Sequence, residues 1–318
     1  MRTRLRRLLL VEWSGLAAAI VIGAGALAAI APNFLTEFNL YVMLRSLSVG
    51  LLVAFAQMVT LGVGQMNIAV GALGGLTAII FGATIELYGF PLLLAIPLAL
   101  AIGALGGLIN GLLTARTGVN AFIITLATAS AFTGINFGIT GSIPFYKMPA
   151  SLVAFGDHHL GAMPYLLVAP LIVAFLLGLF FSRAAPGREL LAFGGNPQAA
   201  ELSGISRERV VVSAHVLSGL LAAAAAVLAV AQLGSAQPTI GADWLLLSFA
   251  APIIGGAALT GGHISVLGTL FAVLLLGLIQ NGMVLAKVDP YWVQFVLGAL
   301  ILAAVGLNRW RAVNSGVV

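Results

Sequence analysis

The chain has 318 residues, 61% of them hydrophobic and only 7% charged, with a mean hydropathy of +1.14. A soluble domain carries roughly a quarter of its residues as charged side chains, so this composition excludes a soluble fold and assigns most of the apolar surface to lipid. Absence of cysteine excludes a disulfide framework and a thiolate metal site. The net charge of +5 is distributed as a topology signal rather than as a nucleic-acid-binding surface.

A membrane-spanning helix needs about 20 mostly apolar residues. That rule predicts about ten spans in a single polytopic domain over 1–318. They lie near 14–31, 40–61, 66–85, 91–114, 120–140, 164–182, 210–232, 244–260, 264–286 and 290–307. The expected fold class is therefore an all-α integral membrane protein. The first span also has the basic start and the Ala29-Ile30-Ala31 end of a cleavable signal peptide. Its apolar run is longer than such peptides usually carry, and its removal would leave an odd number of spans.

Lys and Arg collect on the cytoplasmic side of a membrane. With the N-terminus inside, Arg2, Arg4, Arg6, Arg7, Arg116, Arg183, Arg188, Arg207, Arg209, Arg309 and Arg311 all fall inside. Only Arg45, Lys147 and Lys287 fall outside. An even number of spans follows, with both termini cytoplasmic.

Ion-driven transporters place carboxylates in their spans. Here Glu37, Glu86, Asp157, Asp243 and Asp289 map to the outer side, and Glu12, Glu189, Glu201 and Glu208 to the inner side. His215, a turn into the seventh span, reads as a satisfied packing residue rather than a proton relay. No phosphate-binding Gly-Lys-Ser/Thr loop, His-Glu-x-x-His or Gly-x-Ser-x-Gly occurs. Catalytic and metal-ligating residues are thus not expected, and any pumping energy must come from another subunit. Asp157-His158-His159 in the outer loop 141–163 reads as an exposed polar loop, with a metal site as the alternative.

Glycines recur at every fourth position in Gly71/Gly75, Gly103/Gly107/Gly111 and Gly134/Gly138. Such small-residue faces let helices approach closely in lipid, within one subunit or between two. The two halves also echo each other at a spacing of about 170 residues, a probable inverted repeat of the kind from which many transporters are built. Gly64-Gln-Met-Asn-Ile-Ala-Val-Gly71 aligns with Gly234-Ser-Ala-Gln-Pro-Thr-Ile-Gly241, and Gly107-Leu-Ile-Asn110 with Gly277-Leu-Ile-Gln280. Glycine and proline are expected to unwind 62–71 and 234–241. Unwound backbone in a membrane must face protein or a water-filled path. Gln65, Asn67, Asn110, Ser235, Gln237, Gln280 and Asn281 are the candidate translocation-path residues, a neutral lining suited to a polyhydroxylated solute. Packing between helices is the alternative role for each.

The longest inner connection, about 183–209, contains a short capped helix. Gly195 precedes the N-cap Asn196, Pro197 takes the first helical position, Gln198, Ala199, Ala200, Glu201 and Ser203 follow, and Gly204 closes the turn. A helix thrust out of the membrane reads as a plug for a partner's groove, or as one lying on the inner leaflet.

Gln198-Ala-Ala-x-x-x-Gly204 resembles the Glu-Ala-Ala-x-x-x-Gly coupling-helix motif of the ribose- and xylose-type sugar permeases of ABC importers, with Gln for the first Glu. Gly194-Gly-Asn-Pro-Gln-Ala-Ala-Glu-Leu-Ser-Gly-Ile205, Gly234-Ser-Ala-Gln-Pro-Thr239, Ile254-Gly-Gly-Ala-Ala-Leu-Thr-Gly-Gly262, Ser265-Val-Leu-Gly-Thr269 and Tyr291-Trp292 are similar to that family as well. The resemblance runs from about residue 40 to 308. It implies a second permease subunit (a homodimer or a related pair), cytoplasmic ATP-binding subunits that use ATP and magnesium, and a periplasmic or extracellular solute-binding protein. No cofactor is implied for this chain itself, and no nucleic acid. The implied location is the bacterial inner membrane, in contact with membrane lipid. The family's Gly-Gly-Ile-Asp-Leu-Ser-Val-Gly is replaced here by Gly64-Gln-Met-Asn-Ile-Ala-Val-Gly71, without the acid. Its acidic stretch after Gln-Pro-Thr becomes Trp244-Leu-Leu-Leu-Ser-Phe249, and its Gly-Gly-Lys/Arg-Gly turn becomes Gly261-Gly-His263-Ile264. Permeases for branched-chain amino acids or nucleosides share the wider superfamily and form the alternative, with an ATP-independent secondary transporter behind them.

Overall fold

The computed structural model describes residues 14–289, 292–296, 298, 299, 302, 303 and 306. The N-terminal arginines, Glu12, Tyr291, Arg309, Arg311 and much of the tenth expected span lie outside the described residues.

Twelve α-helices are described: α1 (Ser14–Ile30), α2 (Glu37–Gly62), α3 (Val70–Glu86), α4 (Leu92–Thr117), α5 (Ala121–Thr140), α6 (Ala150–Asp157), α7 (Val168–Arg183), α8 (Ala185–Gly195), α9 (Pro197–Leu202), α10 (Arg207–Leu233), α11 (Trp244–Ile254) and α12 (Val266–Leu285). A two-residue strand pair, β1 (His159–Leu160) with β2 (Met163–Pro164), adds a minor exception to the all-α expectation. Among the described residues, six helical stretches are long and apolar enough to cross a membrane: α2, α4, α5, the stretch Tyr165–Arg183, α10 and α12.

Side-chain oxygens cap the starts of α2, α5, α10 and α12. Thr36 accepts from Asn39 N, Asn120 from Phe122 N, Ser206 from Arg209 N and Ser265 from Gly268 N. Gly118, Gly141 and Gly234 stop α4, α5 and α10 in the left-handed conformation.

Two expected spans differ from the observed helices. The segment expected at 244–260 is helical only to Ile254, 11 residues. At 1.5 Å per residue that is about 16 Å, half the hydrocarbon thickness. Pro252 lacks a donor, and the glycine-rich tract behind it turns back through Gly256, Gly261 and Gly262, all with positive φ. The third helix starts at Val70 rather than 66, because residues 63–69 are unwound.

The core is built on α10, buried along most of its length. It runs antiparallel to α4 at backbone distance: a Cβ at Gly103 would overlap Gly219 O, one at Gly107 would overlap His215 O, and one at Gly111 would lie 2.7 Å from Val212 Cα. These glycines pack within the subunit, as do Gly71 and Gly75, whereas Gly134 and Gly138 on α5 have nothing within 4 Å. Helix α2 is also antiparallel to α10. Arg45 near its start donates to Gln232 O at the end of α10 (2.8 Å) and pairs with Asp157 (2.7 Å). At the opposite end of α10, Glu208 pairs with Arg116 (2.9 Å).

Candidate translocation site

Two unwound segments form the frame of the site, and each is tied by hydrogen bonds that satisfy its backbone in a low-dielectric interior. In the first, Gln57, with its amide turned to suit both neighbours, donates to Asn67 O (2.8 Å) and accepts from Asn67 N (3.2 Å). Asn67 Nδ2 donates to Ser218 Oγ (3.0 Å), its Oδ1 accepts from Ala69 N (3.0 Å), and Thr125 Oγ1 accepts from Ile68 N (3.0 Å). In the second, Ala236 and Phe145 exchange backbone bonds at 2.9 Å each way, Gln237 Nε2 donates to Ser235 Oγ (3.2 Å), and Asn136 Nδ2 donates to Pro238 O (2.9 Å).

Beside the second segment lies a cavity of about 610 Å³ between the first half of α2, the end of α10, the start of α11 and the end of α12. Its polar lining comprises Ser46, Gln232, Gln237, Thr239, Asp243, Gln280 and Gln294, with Trp244 and aliphatic side chains between them. A few convergent hydrogen-bonding groups in an apolar wall are the usual make-up of a small-molecule site. Amides, hydroxyls and one carboxylate offer both donors and acceptors, as a polyol requires, and an indole offers a flat apolar face. Trp244 is 8% exposed because its ring packs over the bare backbone of Gly74.

Of the residues singled out from sequence, Gln237 and Gln280 lie on this cavity and the others do not. Asn67 and Ser235 are consumed in the ties just described. Asn281 forms a reciprocal amide pair with Asn39, at 3.0 and 2.8 Å, and is not among the lining residues. Gln65 is half-buried in the inner turn, where its N–H donates to Thr60 O. Asn110 is fully buried against α10, and neither end of its amide has a partner. His215, expected to be a satisfied packing residue, is likewise fully buried with both ring nitrogens unpartnered. Its backbone carbonyl and Cβ pack against Gly107 and Gly111 of α4.

Sequence reasoning missed Ser46, Gln232, Thr239, Asp243, Trp244 and Gln294. Asp243-Trp244, an acid and an indole next to an expected break, was an available signal. Ser46 and Gln232 carried none, since only the packing of α2 on α10 brings them together.

Helix α9 has the geometry read from its residues. Asn196 Oδ1 accepts from Ala199 N (3.0 Å), Pro197 opens the helix, Ser203 Oγ donates to Ala199 O (2.9 Å), and Gly204 turns out with φ +86°. Ala200 is buried, while Gln198, Ala199, Glu201, Leu202 and Ser203 are exposed, Leu202 at 91%. Gly195, on the membrane side, sits against Gly262, and Gly262 N donates to Gly62 O (2.9 Å). In the outer loop, His159 Nδ1 lies 2.8 Å from Gly161 O with its ring against Tyr41, and the His158 ring packs on Tyr165.

Comparison with known proteins places these features in a family. The chain is 32% identical over 286 residues to the fructose import permease of Rhizobium meliloti, covering 87% of this chain and 79% of that protein. It is 33% identical over 284 residues to the ribose import permease of Bacillus subtilis, 88% of each. It is 32% identical over 277 residues to the D-allose transport system permease of Escherichia coli, 87% of this chain and 85% of that one. No solved structure matches the chain. Residues 30–305 match the family described as the branched-chain amino acid transport system permease component, and the chain belongs to that family of multi-pass transport subunits.

Proposed function

We propose that this chain is the membrane-spanning permease subunit of an ATP-driven, binding-protein-dependent importer of a monosaccharide or related polyol. The observation that carries the reading is the outer cavity, whose amides, hydroxyls, carboxylate and indole suit a neutral hydroxylated ring. Relatives named for ribose, fructose and allose support it.

The finer architecture belongs to the same reading. The six long helices, together with the shorter α1, α3 and α11 and the segment after Asp289, are taken as ten crossings with both termini in the cytoplasm. An inverted repeat is supported by helix bounds. Shifted by about 170 residues, α2 (Glu37–Gly62) falls on α10 (Arg207–Leu233), α3 on α11 and α4 on α12. The antiparallel packing of α2 on α10 supports the inversion. Helix α9 serves as the coupling helix, its exposed face received by an ATP-binding subunit and its base seated on the turn around Gly262. A second permease copy, an external solute-binding protein at the end carrying Arg45 and Asp157, and a bacterial inner-membrane location complete the assembly. Import of branched-chain amino acids or nucleosides is the alternative, which the family description keeps in view.

The test is co-purification of the tagged chain from native membranes with its partners, followed by uptake in proteoliposomes. Recovery of an ATPase and ATP-dependent uptake of ribose, fructose or allose are expected. A chain that purifies alone and transports without ATP would overturn the reading.

A further inference from the structure

A second, smaller cavity of about 230 Å³ lies on the other face of the segment that walls the outer one. Thr239, Ile240 and Gly241 line both, so the two cavities share this stretch of chain as a wall. The composition of its lining is unusual in one respect. Ile68 and Pro238, Gly71 and Gly241, and Ala72 and Ala242 all contribute to it, and each pair is separated by the same spacing of about 170 residues that relates the two halves. A cavity walled by equivalent residues from both halves sits on the axis that relates them. Transporters built from inverted repeats hold their solute at such a place, between interrupted helices near the bilayer midplane, where both sides of the membrane are equally accessible.

A second observation points to a ligand. Asn136 on α5 lines this cavity, is 3% exposed, and spends its Nδ2 on Pro238 O, while its Oδ1 has no partner. A buried acceptor without a donor is costly, and a hydroxyl supplies the missing donor. The remaining wall is glycine, alanine, proline and aliphatic side chains with the Thr239 hydroxyl among them, and Thr133 and Phe137 lie at an exposed edge. Such a space accepts one small ring and excludes an oligosaccharide.

We infer that the second cavity is a transient subsite for the solute after it leaves the outer cavity, taking a single neutral hydroxylated ring with one hydroxyl donating to Asn136 Oδ1. This rests on the importer reading above. The Pro238–Ala242 strand is then the partition the solute must pass, and its tie to Asn136 breaks or re-forms as it does.

The experiment uses the complete importer (permease, its ATPase and its solute-binding protein) in proteoliposomes, with radiolabelled ribose, fructose and allose as probes. The permease has no cysteine, so Thr133→Cys provides a single thiol in this subunit at the cavity edge. Attachment of a bulky methanethiosulfonate there is expected to stop uptake by Thr133→Cys, and a transported sugar to slow the attachment during ATP turnover. The same label on Ala131→Cys, exposed on the opposite face of α5 from Thr133 and Phe137, is expected to leave uptake unchanged. Asn136→Leu should lower uptake by about tenfold, the scale of one lost hydrogen bond to the solute, while ATPase association is retained. Unimpaired uptake by the labelled Thr133→Cys importer, with labelling indifferent to sugar, would overturn the subsite and leave the importer reading intact. A wild-type complex that takes up none of the three sugars would overturn both.

Discussion

Gly71 and Gly241 occupy each other's missing side-chain volume: a Cβ on either would overlap the carbonyl oxygen of the other. The contact joins the start of α3 to the unwound segment before α11, and the two residues are equivalent under the spacing that relates the halves. Two equivalent residues meet reciprocally only where a two-fold axis passes between them. This contact is therefore the geometric centre of the proposed inverted repeat.

Substitution there is expected to be severe. Gly241 has φ +88°, so Gly241→Ala adds backbone strain to the overlap, whereas Gly71→Ala adds overlap alone. Overpacking of this kind costs about 1–3 kcal/mol, with about 1–2 kcal/mol more for a non-glycine residue in the left-handed region. Thermal unfolding in detergent should rank Gly241→Ala below Gly71→Ala. Gly118→Ala, with φ +69° and open space around it, should show the strain alone.

The glycine turns that follow α2 and α11 converge on the base of α9 without intervening side chains. A Cβ at Gly194 would overlap Gly62 O and come within 2.6 Å of Gly262 N, and one at Gly261 would lie 2.6 Å from Gly64 N. Gly194→Ala is expected to wedge this junction while leaving the exposed face of α9 intact. ATPase association should persist and uptake should fall, so that hydrolysis is uncoupled from transport. Uptake at the wild-type rate would show that the junction transmits nothing.

Helix α9 itself is tested by Gly204→Val and Ala199→Glu. A Cβ at Gly204 would meet nothing within 4 Å, so valine there is opposed by its φ of +86° and not by crowding. Both variants should insert in the membrane, lose ATPase association and lose uptake. Normal uptake by both would remove the coupling assignment.

The Asn39–Asn281 pair predicts stability without transport. A double-mutant cycle with leucine at both positions should give a coupling energy of about 0.6 kcal/mol, and at most about 1.7. The double variant should retain uptake. A large loss of uptake in the double variant would return Asn281 to the translocation path.

Much of the architecture was legible in the residues because membrane insertion is a local transaction between one segment and lipid. The start of α9 followed Asn196, a side-chain cap that acts within three residues. Thr36, Asn120, Ser206 and Ser265, which the structure shows acting in the same way, were equally local signals. The unwinding at 62–71 and 234–241 followed from glycine and proline. The length of α11 was misjudged because the hydropathy of residues 244–260 is that of a span, while Pro252 and the left-handed glycines behind it end the helix half-way.

The sequence alone determined that the chain lies in a membrane, where the chain unwinds between helices, and that a short capped helix starts at Pro197. These are consequences of desolvation and of backbone geometry within a few residues. The tertiary structure decided which polar side chains are free to meet a solute. Asn67, Ser235 and Asn281 look as available in the sequence as Gln237 and Gln280. An amide in a low-dielectric interior takes whatever partner the packing presents, and here Ser218, Gln237 and Asn39 reach the first three. Gln280 instead faces open volume, as Gln237 does beyond its tie to Ser235.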